Sequence, residues 1–348
     1  MIKQYITQAL VQLRQHPIIS AVSIIGTALA IFLIMLVVMM QQVKTAPFAP
    51  ESNRDRFLHV HYMSISNENW KGNGGQSNGP MSERTIKELF QSLKTPEAVT
   101  IYTCMPIATP VSLPGKAATA VDLLETDDIF WRVFDFSFID GKPYDKATFD
   151  AAQPVAVITE SVARILFGTT EGVAGKEFLL NHAPYRVAGV VKDVSTLANT
   201  CYGQVWVPYT STGQDKNAWS GGHMGMMSCT ILARSRDDFD AIRQESLNRF
   251  ETYNQLVGED GYNFIHRNRP YDQEKQAISF SANQEPDLEG NRRSRLMTFL
   301  ILLIVPAINL SSMTQSRLRQ RVSEIGVRRA FGCNRMELMG QICFSAYS

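Results

Sequence analysis

The sequence predicts a membrane protein in which two transmembrane α-helices flank a large α+β extracytoplasmic domain, built as one body or as two lobes. Three observations predict this class: an uncharged apolar run at Ile18–Met40, a second apolar run at Leu296–Met313, and alternating strand and helix patterns between them. At about 1.5 Å of rise per residue, the first run spans the ~30 Å hydrocarbon layer of a bilayer. The second run is slightly shorter and is interrupted by Pro306 and Asn309.

The first element is an amphipathic segment. Apolar residues recur at helical spacing within residues 1–16, which predicts a cytoplasmic amphipathic helix, lying either on the inner leaflet or against the chain's own membrane helices. Pro17 marks the bend into transmembrane helix 1, at residues 17–43, because the residue before a proline disfavours helical dihedral angles. A cleaved signal peptide fits poorly, since its apolar stretch is only about 7–15 residues long.

Basic residues near the membrane predict its orientation, because short flanking segments rich in lysine and arginine stay in the cytoplasm. Lys3 and Arg14 precede the first run, and six arginines follow the second: Arg317, Arg319, Arg321, Arg328, Arg329 and Arg335. Both termini are therefore expected in the cytoplasm. Three arginines lie on the side that this topology places outside: Arg292, Arg293 and Arg295. Long translocated domains follow the rule for basic residues only weakly, so these arginines do not reverse the predicted orientation.

The extracytoplasmic domain, residues 44–294, is long enough to bury a hydrophobic core. The whole chain has 34 Lys and Arg against 33 Asp and Glu, so its near-neutral charge predicts no binding to nucleic acid. Cysteine is too sparse for a disulfide scaffold. Cys104, Cys201 and Cys229 fall in this domain, where an odd number leaves an unpaired thiol or an intermolecular bridge.

Short strands and helices alternate in the first part of the domain. Phe57–Met63 and Ala98–Cys104 have the composition of strands, and Ser82 is the expected N-cap of a helix through Lys94. The segment Lys71–Pro80 has no apolar residue to bury, so we expect a mobile loop there.

A β-α-β-β unit is predicted between Pro154 and Val194. Its elements are a buried strand at Val155–Ile158, a helix capped by Thr159, and strands at Glu177–Leu180 and Tyr185–Val191 around a turn at residues 181–184. A charged helix from Asp237 to about Val257 follows. The stretch Asp287–Arg295 favours helix, so transmembrane helix 2, at residues 295–313, is expected to begin as a stalk outside the membrane.

Catalytic and metal-binding signatures are missing from the sequence. It has no G-x-x-x-x-G-K-[ST] motif, so we expect ATP to be bound by a partner and no cofactor on this chain. His59 and His61 alternate on one strand and share a face, but no third ligand stands at a suitable spacing. Packed or solvated histidines are the simpler interpretation. We therefore predict that the chain is not an enzyme.

The segment after the second run, residues 314–340, carries charge at helical spacing. Glu324 and Arg328 stand four residues apart in the favourable order for a helical ion pair, and Gly332 is a natural helix stop. Gly326 leaves the backbone open to close approach. Such a segment suits either a grip on a soluble partner or attraction to anionic lipid headgroups. Composition alone leaves both interpretations open.

Two sets of motifs together resemble a known family. Glu324-Ile-Gly-Val-Arg-Arg-Ala-Phe-Gly332 is similar to the signature E-I-G-[LIV]-R-[RK]-A-[LF]-G that follows the second membrane helix of MacB/FtsX-type ABC transporter permeases. Five segments resemble the MacB-like periplasmic core domain in order and spacing: Phe136–Pro143, Pro154–Ala163, Leu166–Gly168, Gly175–Lys176 and Tyr185–Asp193. The resemblance covers nearly the whole chain.

The resemblance implies a permease subunit of an ABC-type export or mechanotransmission complex in the bacterial inner membrane, with its large domain in the periplasm. A separate cytoplasmic ABC ATPase subunit would bind ATP. It would couple to this chain through six residues of the signature: Glu324, Ile325, Gly326, Arg328, Arg329 and Gly332. Further implied partners are a second permease copy or paralogue, a periplasmic membrane-fusion adaptor and membrane lipid.

The sequence departs from this family at its C-terminal end. Family members continue through third and fourth membrane helices, whereas residues 341–348 only begin a third, so we expect a truncated gene product or a fragment. The alternative function is a non-transporting transmembrane sensor or regulator of an extracytoplasmic partner. A signalling domain or a long coiled coil after the second run would favour that alternative, and this sequence shows neither.

Overall fold

The structure is a computed structural model that describes residues 17–69, 74–213, 218–320 and 330. Val43–Leu288 forms one compact body, and the remaining described residues at the two ends of the chain form a second unit. The predicted amphipathic helix at residues 1–16 lies outside the described residues, as do residues 341–348 and most of the segment 314–340.

Helix α1 covers Pro17–Thr45. Within it, Ile24–Thr45 is a stretch of 22 residues with a mean hydropathy of 2.5, and it is the one helix of the described chain that is long and apolar enough to cross a membrane. Large apolar side chains along α1 are exposed, among them Ile25, Phe32 and Met39. The last three residues of α1 belong to the compact body.

The compact body is built mainly from strands. In chain order they are β1 (Phe57–Val60), β2 (Met63–Asn67), β3 (Gly75–Gly79), β4 (Ala98–Thr103), β5 (Ile107–Ser112), β6 (Thr119–Thr126), β7 (Phe138–Gly141), β8 (Val155–Thr159), β9 (Glu177–Leu180), β10 (Ala183–Val191), β11 (Val205–Pro208), β12 (Met227–Leu232), β13 (Tyr262–Ile265) and β14 (Tyr271–Asp272). The helices after α1 are α2 (Glu83–Ile86), which a π-helical turn at Lys87–Gln91 continues, α3 (Phe130–Val133), α4 (Lys146–Asp150), α5 (Glu160–Phe167), α6 (Tyr209–Thr212), α7 (Phe239–Val257), α8 (Gln273–Gln276) and α9 (Leu288–Gln320).

The described strands form two sheets, and the larger one, of eleven strands, is partly closed. Strands β6, β11, β8, β10, β9 and β5 pair in that order, and β5 pairs again with β6, so that these strands form a ring. Strands β4, β12, β1 and β14 continue from β6 as an open arm. The ladder between ring and arm is short, because β4 and β6 pair only at Tyr102 and Thr126. Strands β13, β2 and β3 form the second sheet.

Three predicted elements were wrong in detail. The strand predicted at Phe57–Met63 ends at Val60, because the chain leaves the large sheet there and enters the small sheet at Met63. Part of the loop predicted at Lys71–Pro80 is strand β3, which pairs with β2 through its backbone and needs no apolar side chain. The turn predicted at residues 181–184 is shorter, since Ala183 and Pro184 pair with β9.

Other predicted elements are confirmed. The strand at Ala98 and the strand at Val155 form as expected. Ser82 and Thr159 cap their helices by accepting hydrogen bonds from the backbone N–H of Thr85 and Val162. Helix α7 covers the predicted charged helix, and α9 begins at Leu288, ahead of the predicted membrane segment. Whether residues 295–313 cross a membrane stays a prediction.

The core of the body divides into three clusters of buried residues. The first lies around the arm, the small sheet and α7, and includes Leu58, Met63, Phe90 and Phe250. The second is built from the ring strands and α5, and includes Val121, Ile158 and Val205. The third is rich in aromatic side chains from the arm (Phe57, Tyr102), from the ring (Trp206), and from α3 and the loops next to it (Phe130, Phe134, Tyr144). Aromatic packing therefore supplements the short ladder between ring and arm.

Candidate functional site

The predicted coupling residues lie outside the described residues: Glu324, Ile325, Gly326, Arg328, Arg329 and Gly332. Their role stays a prediction. The compact body offers a different candidate site, at the C-terminal end of α1, where buried polar side chains hold the last carbonyl groups of the helix.

Arg54 closes the C-terminal end of α1. Its guanidinium donates from Nη1 to the carbonyl oxygens of Val43, at 2.7 Å, and Ala46, at 3.1 Å. The last carbonyl groups of a helix have no partner within the helix and carry the negative end of its dipole. A cation at this position therefore satisfies their hydrogen bonds and their charge together.

The same guanidinium reaches two further segments. Nη2 donates to the carbonyl oxygen of Leu197 at 2.8 Å, and Nε donates to Oε2 of Glu51 at 2.6 Å. The guanidinium carbon also lies 4.2 Å from the ring centroid of Phe48, within cation–π range. Arg54 is only 1% exposed. Because arginine presents its donors in a rigid planar fork, this side chain fixes the relative positions of all these groups.

Glu51 is the counter-ion of Arg54 and also holds the loop that precedes β11. Its Oε1 accepts hydrogen bonds from the backbone N–H groups of Thr200, at 2.9 Å, and Cys201, at 3.3 Å. The carbonyl oxygen of Cys201 in turn accepts from Nε1 of Trp206, in β11, at 3.1 Å. The ion pair thus connects the helix end to a strand of the ring.

Gln273 makes a second contact with the same helix end. Its Nε2 donates to the carbonyl oxygen of Lys44 at 2.8 Å, and its Oε1 lies 2.8 Å from Nε2 of His59. Because the amide oxygen can only accept, His59 must carry its proton on Nε2. This contact connects the helix end to β1, in the arm.

A chain of hydrogen bonds runs from His59 across the strands of the arm. Nδ1 of His59 lies 3.2 Å from Oγ1 of Thr230, which lies 2.7 Å from the hydroxyl of Tyr102. That hydroxyl lies 3.3 Å from Nε2 of His61. Since Nδ1 of His59 accepts, Thr230 donates to it, Tyr102 donates to Thr230, and His61 donates to Tyr102. Side chains of β1, β12 and β4 are joined in this way.

Burial keeps both histidines neutral. Desolvation, with a smaller effect of the neighbouring His61, lowers the pKa of His59 to about 3, and desolvation lowers the pKa of His61 to about 4. Each group in this chain of hydrogen bonds therefore keeps its role as donor or acceptor across the physiological pH range. Both nitrogens of His59 and Nε2 of His61 are engaged in these hydrogen bonds, which agrees with packed histidines. The described residues hold no group of three or more metal-ligating side chains.

Neither Glu51 nor Arg54 is among the sites predicted from the sequence. An acidic and a basic residue three positions apart are typical of a solvent-exposed segment, whereas the side chains of Glu51 and Arg54 are both buried. The available signal was their position, since this pair is the first acid and the first arginine after the uncharged run of α1.

The three cysteines of the body are free thiols. Cys201 and Cys229 are buried, and burial raises the pKa of the half-buried Cys104 to about 11. Only the thiolate is a strong nucleophile, so none of these cysteines has the character of a reactive thiol.

Comparison with known proteins gives a family and distant relatives. Residues 20–248 match the model of a family described as MacB-like periplasmic core domain. The macrolide export ATP-binding/permease protein MacB 1 of Yersinia pestis bv. Antiqua is 25% identical over 241 residues, which are 67% of this chain and 33% of that protein. The pyoverdine export ATP-binding/permease protein PvdT of Pseudomonas syringae is 21% identical over 227 residues, which are 63% of this chain and 31% of that protein. The chain therefore spans about a third of the length of the curated relatives it matches.

Solved structures give matches of low overall similarity. The periplasmic region of MacB from Actinobacillus actinomycetemcomitans aligns with a TM-score of 0.40 and 21% identity, covering 60% of this chain and 89% of that one. The extracellular domain of the noncanonic ABC-type transporter YknZ from Gram-positive bacteria aligns with a TM-score of 0.41 and 17% identity, covering 59% of this chain and 99% of that one.

Proposed function

Because the chain belongs to the MacB-like periplasmic core domain family, we propose that it is the permease subunit of an ABC-type export or mechanotransmission complex. In this proposal α1 and residues 295–313 cross the bacterial inner membrane, and the body Val43–Leu288 lies in the periplasm. Relatives such as the Yersinia protein carry names that join an ATP-binding part to a permease part. In the proposed complex an ABC ATPase binds ATP and acts together with the permease part that this sequence represents.

The observation that carries the proposal is the pair of side-chain contacts on the last turn of α1, one from the buried Arg54 and one from the partly buried Gln273. Arg54 and Glu51 connect the helix end to the ring, and Gln273 connects it to the arm through His59. A displacement of the helix end would therefore act on both parts of the large sheet. The buried pair of Arg54 and Glu51 suits this role, because breaking its hydrogen bonds would leave unsatisfied polar groups that water cannot reach.

The cytoplasmic side of the proposed complex depends on the signature after the second apolar run. Glu324, Arg328 and Arg329 would face a cytoplasmic ABC ATPase, with Ile325, Gly326 and Gly332 allowing close approach. Arginine suits this contact because its planar fork binds carboxylates through two hydrogen bonds. ATP would be bound and hydrolysed on that subunit, and this chain would have no catalytic role and no cofactor. A second permease copy and a periplasmic adaptor complete the proposed assembly.

Co-purification with an ABC ATPase tests the proposal. The double variant Glu324→Lys with Arg328→Glu should lose the ATPase, because both charges of the expected contact are reversed. Arg317→Glu is the matched control, since it reverses a charge of the same segment outside the signature and should retain the ATPase. If the double variant retains as much ATPase as the control, the coupling role is wrong and the sensor or regulator becomes the better interpretation.

A further inference from the structure

Two large apolar side chains of the compact body are exposed close to the end of α1. Leu197 is 53% exposed and Phe280 is 87% exposed. The carbonyl oxygen of Leu197 shares the Arg54 guanidinium with the carbonyl oxygen of Val43. Phe280 lies four residues after α8, which begins at Gln273. The side-chain amide of Gln273 donates to the carbonyl oxygen of Lys44. Leu197 is therefore linked to the last turn of α1 through Arg54, and Phe280 lies seven residues along the chain from Gln273, which binds the same turn.

The length of the uncharged run indicates where this last turn lies in a bilayer. The chain has no ionisable residue from Ile18 to Val43, and a helix of that length measures about 40 Å. This matches the roughly 40–45 Å thickness of a bilayer with its headgroup layers. Val43 would thus lie at headgroup level, and the exposed Lys44 would extend toward the headgroups. Groups bonded to the carbonyls of Val43 and Lys44 lie at the same level.

Phe280 is also close along the chain to the second predicted span. Helix α9 begins at Leu288, and its apolar run begins at Leu296. The loop that carries Phe280 is thus tied to α1 at one end and continues into α9 at the other. Between its ends, Glu285 pairs with Lys275, and the carbonyl of Ala282 accepts from Arg269. These contacts hold the loop in a fixed shape while the ring of Phe280 extends outward.

We propose that Leu197 and Phe280 insert into the headgroup layer of the membrane that α1 crosses. The inference depends on the proposed function only in requiring that α1 spans a bilayer. Lipid is the occupant indicated by the structure, because Leu197 and Gln273 are bonded to the last turn of a helix whose uncharged run ends at Val43. Phenylalanine and leucine are among the side chains that interfacial helices bury at the boundary between headgroups and acyl chains. In this proposal the inserted side chains of Leu197 and Phe280 hold the body at a defined height above the membrane.

Lipid quenching of tryptophan fluorescence tests the proposal on the full chain. Leu197→Trp and Phe280→Trp are placed separately in nanodiscs of phosphatidylethanolamine and phosphatidylglycerol, with and without bromine near the carbonyl end of the acyl chains. The emission of the parent protein is subtracted. The added emission of both variants should be blue-shifted and should fall in the brominated discs.

Two control variants distinguish the possible failures. Leu256→Trp replaces an apolar side chain of similar exposure, 65%. Leu256 lies in α7, thirteen residues beyond Arg243, and the guanidinium of Arg243 contacts Asp272, the neighbour of Gln273. That separation is about 20 Å of helix, so its emission should be quenched less than that of Phe280→Trp if only side chains near the end of α1 reach the headgroups. Phe32→Trp, in the middle of the α1 run, should be quenched if α1 spans the bilayer. Quenching of Phe32→Trp without quenching of Phe280→Trp overturns this inference and leaves the span intact. Absence of quenching in Phe32→Trp overturns the membrane-spanning part of the proposed function itself.

Discussion

Nη1 of Arg54 donates to the carbonyl oxygen of Val43 over 2.7 Å, so that a side chain of the folded body closes the last turn of the apolar helix. The same guanidinium is neutralised by Glu51 and is almost completely buried. A helix end that shifted relative to the body would leave this charge without its acceptors. The end of α1 and the sheet are therefore expected to move together.

Substitution of Arg54 should separate the roles of charge and shape at this contact. Arg54→Ala leaves Glu51 buried without a counter-ion and should cost about 3–5 kcal/mol in the free energy of unfolding. Arg54→Lys keeps the charge but cannot reach Val43, Leu197 and Glu51 at once, so its loss should be intermediate. Urea unfolding of the full chain in detergent measures these differences. Arg186→Ala, at an exposed arginine of β10, is the control and should change stability by less than about 0.5 kcal/mol. Equal losses in Arg54→Ala and Arg186→Ala would contradict the assigned role.

Gln273→Glu should destabilise the protein in a pH-dependent way. Near neutral pH the new carboxylate can still accept from His59, but it faces the carbonyl oxygen of Lys44 with no proton to donate. An acceptor that only the protonated carboxyl can bond raises the carboxyl pKa, and the protonated form can donate to Lys44 as the amide does. The difference in melting temperature from the parent should therefore shrink as the pH falls toward about 5. Gln273→Ala, which lacks the titrating group, is the control and should show no such recovery. A pH-independent difference for Gln273→Glu would contradict the geometry.

The sequence allowed prediction of those elements that depend on local signals. Ser82 and Thr159 marked helix starts through their own side chains, and alternating or continuous apolar runs marked β4 and β8. Strand β3 was missed because its stability comes from backbone pairing with β2 and from the contact between Ser64 and Asn78. Neither leaves an apolar pattern in the sequence. The closure of the ring was also unpredictable, since the 78 residues 127–204 separate β6 from β11 and the two strands pair only in three dimensions.

The candidate site was less predictable than the fold. Its residues come from four distant segments, around Val43, Arg54, Leu197 and Gln273, and each looks ordinary in its own stretch of sequence. His59 and His61 were noticed as a pair on one strand face, and their rings do lie 5.7 Å apart between centroids. Their hydrogen-bond partners, Thr230 and Gln273, could not be inferred without the pairing of β1 with β12 and β14.

The buried histidines should make stability depend on pH in a defined direction. In the unfolded chain His59 takes up a proton near its ordinary pKa of 6.5, whereas in the folded body its pKa is about 3. Between these values the unfolded state binds more protons, so stability is complete above about pH 6.5 and is lost as the pH falls. His59→Gln, which cannot titrate, should show a shallower loss over this range. Thermal unfolding of both proteins between about pH 4 and pH 7 measures the slopes.

Comparison of the two proteins isolates the contribution of His59. The buried carboxyl of Asp127 has a pKa raised from 3.8 to about 7, mainly by desolvation, and contributes a slope of the opposite sign. That slope is common to both proteins and cancels in the difference between them. A parent and a His59→Gln variant with the same pH dependence would show that this imidazole is solvated in the folded protein.

Gly141, at the end of β7, should be among the least replaceable glycines of the compact body. Its φ is +66°, and a Cβ there would lie 2.3 Å from the carbonyl oxygen of Ala188 and 2.9 Å from the Cβ of Ala174. Gly115 has a similar φ of +73° but no atom within 4 Å of the same position. Gly115→Ala should therefore lose only the roughly 1–2 kcal/mol that a left-handed conformation costs a side chain. Gly141→Ala should lose clearly more, because the pairing of β7 with β10 at Gly189 must open to admit the methyl group. Urea unfolding followed by tryptophan fluorescence compares the two variants, and equal losses would show that β7 can shift without cost.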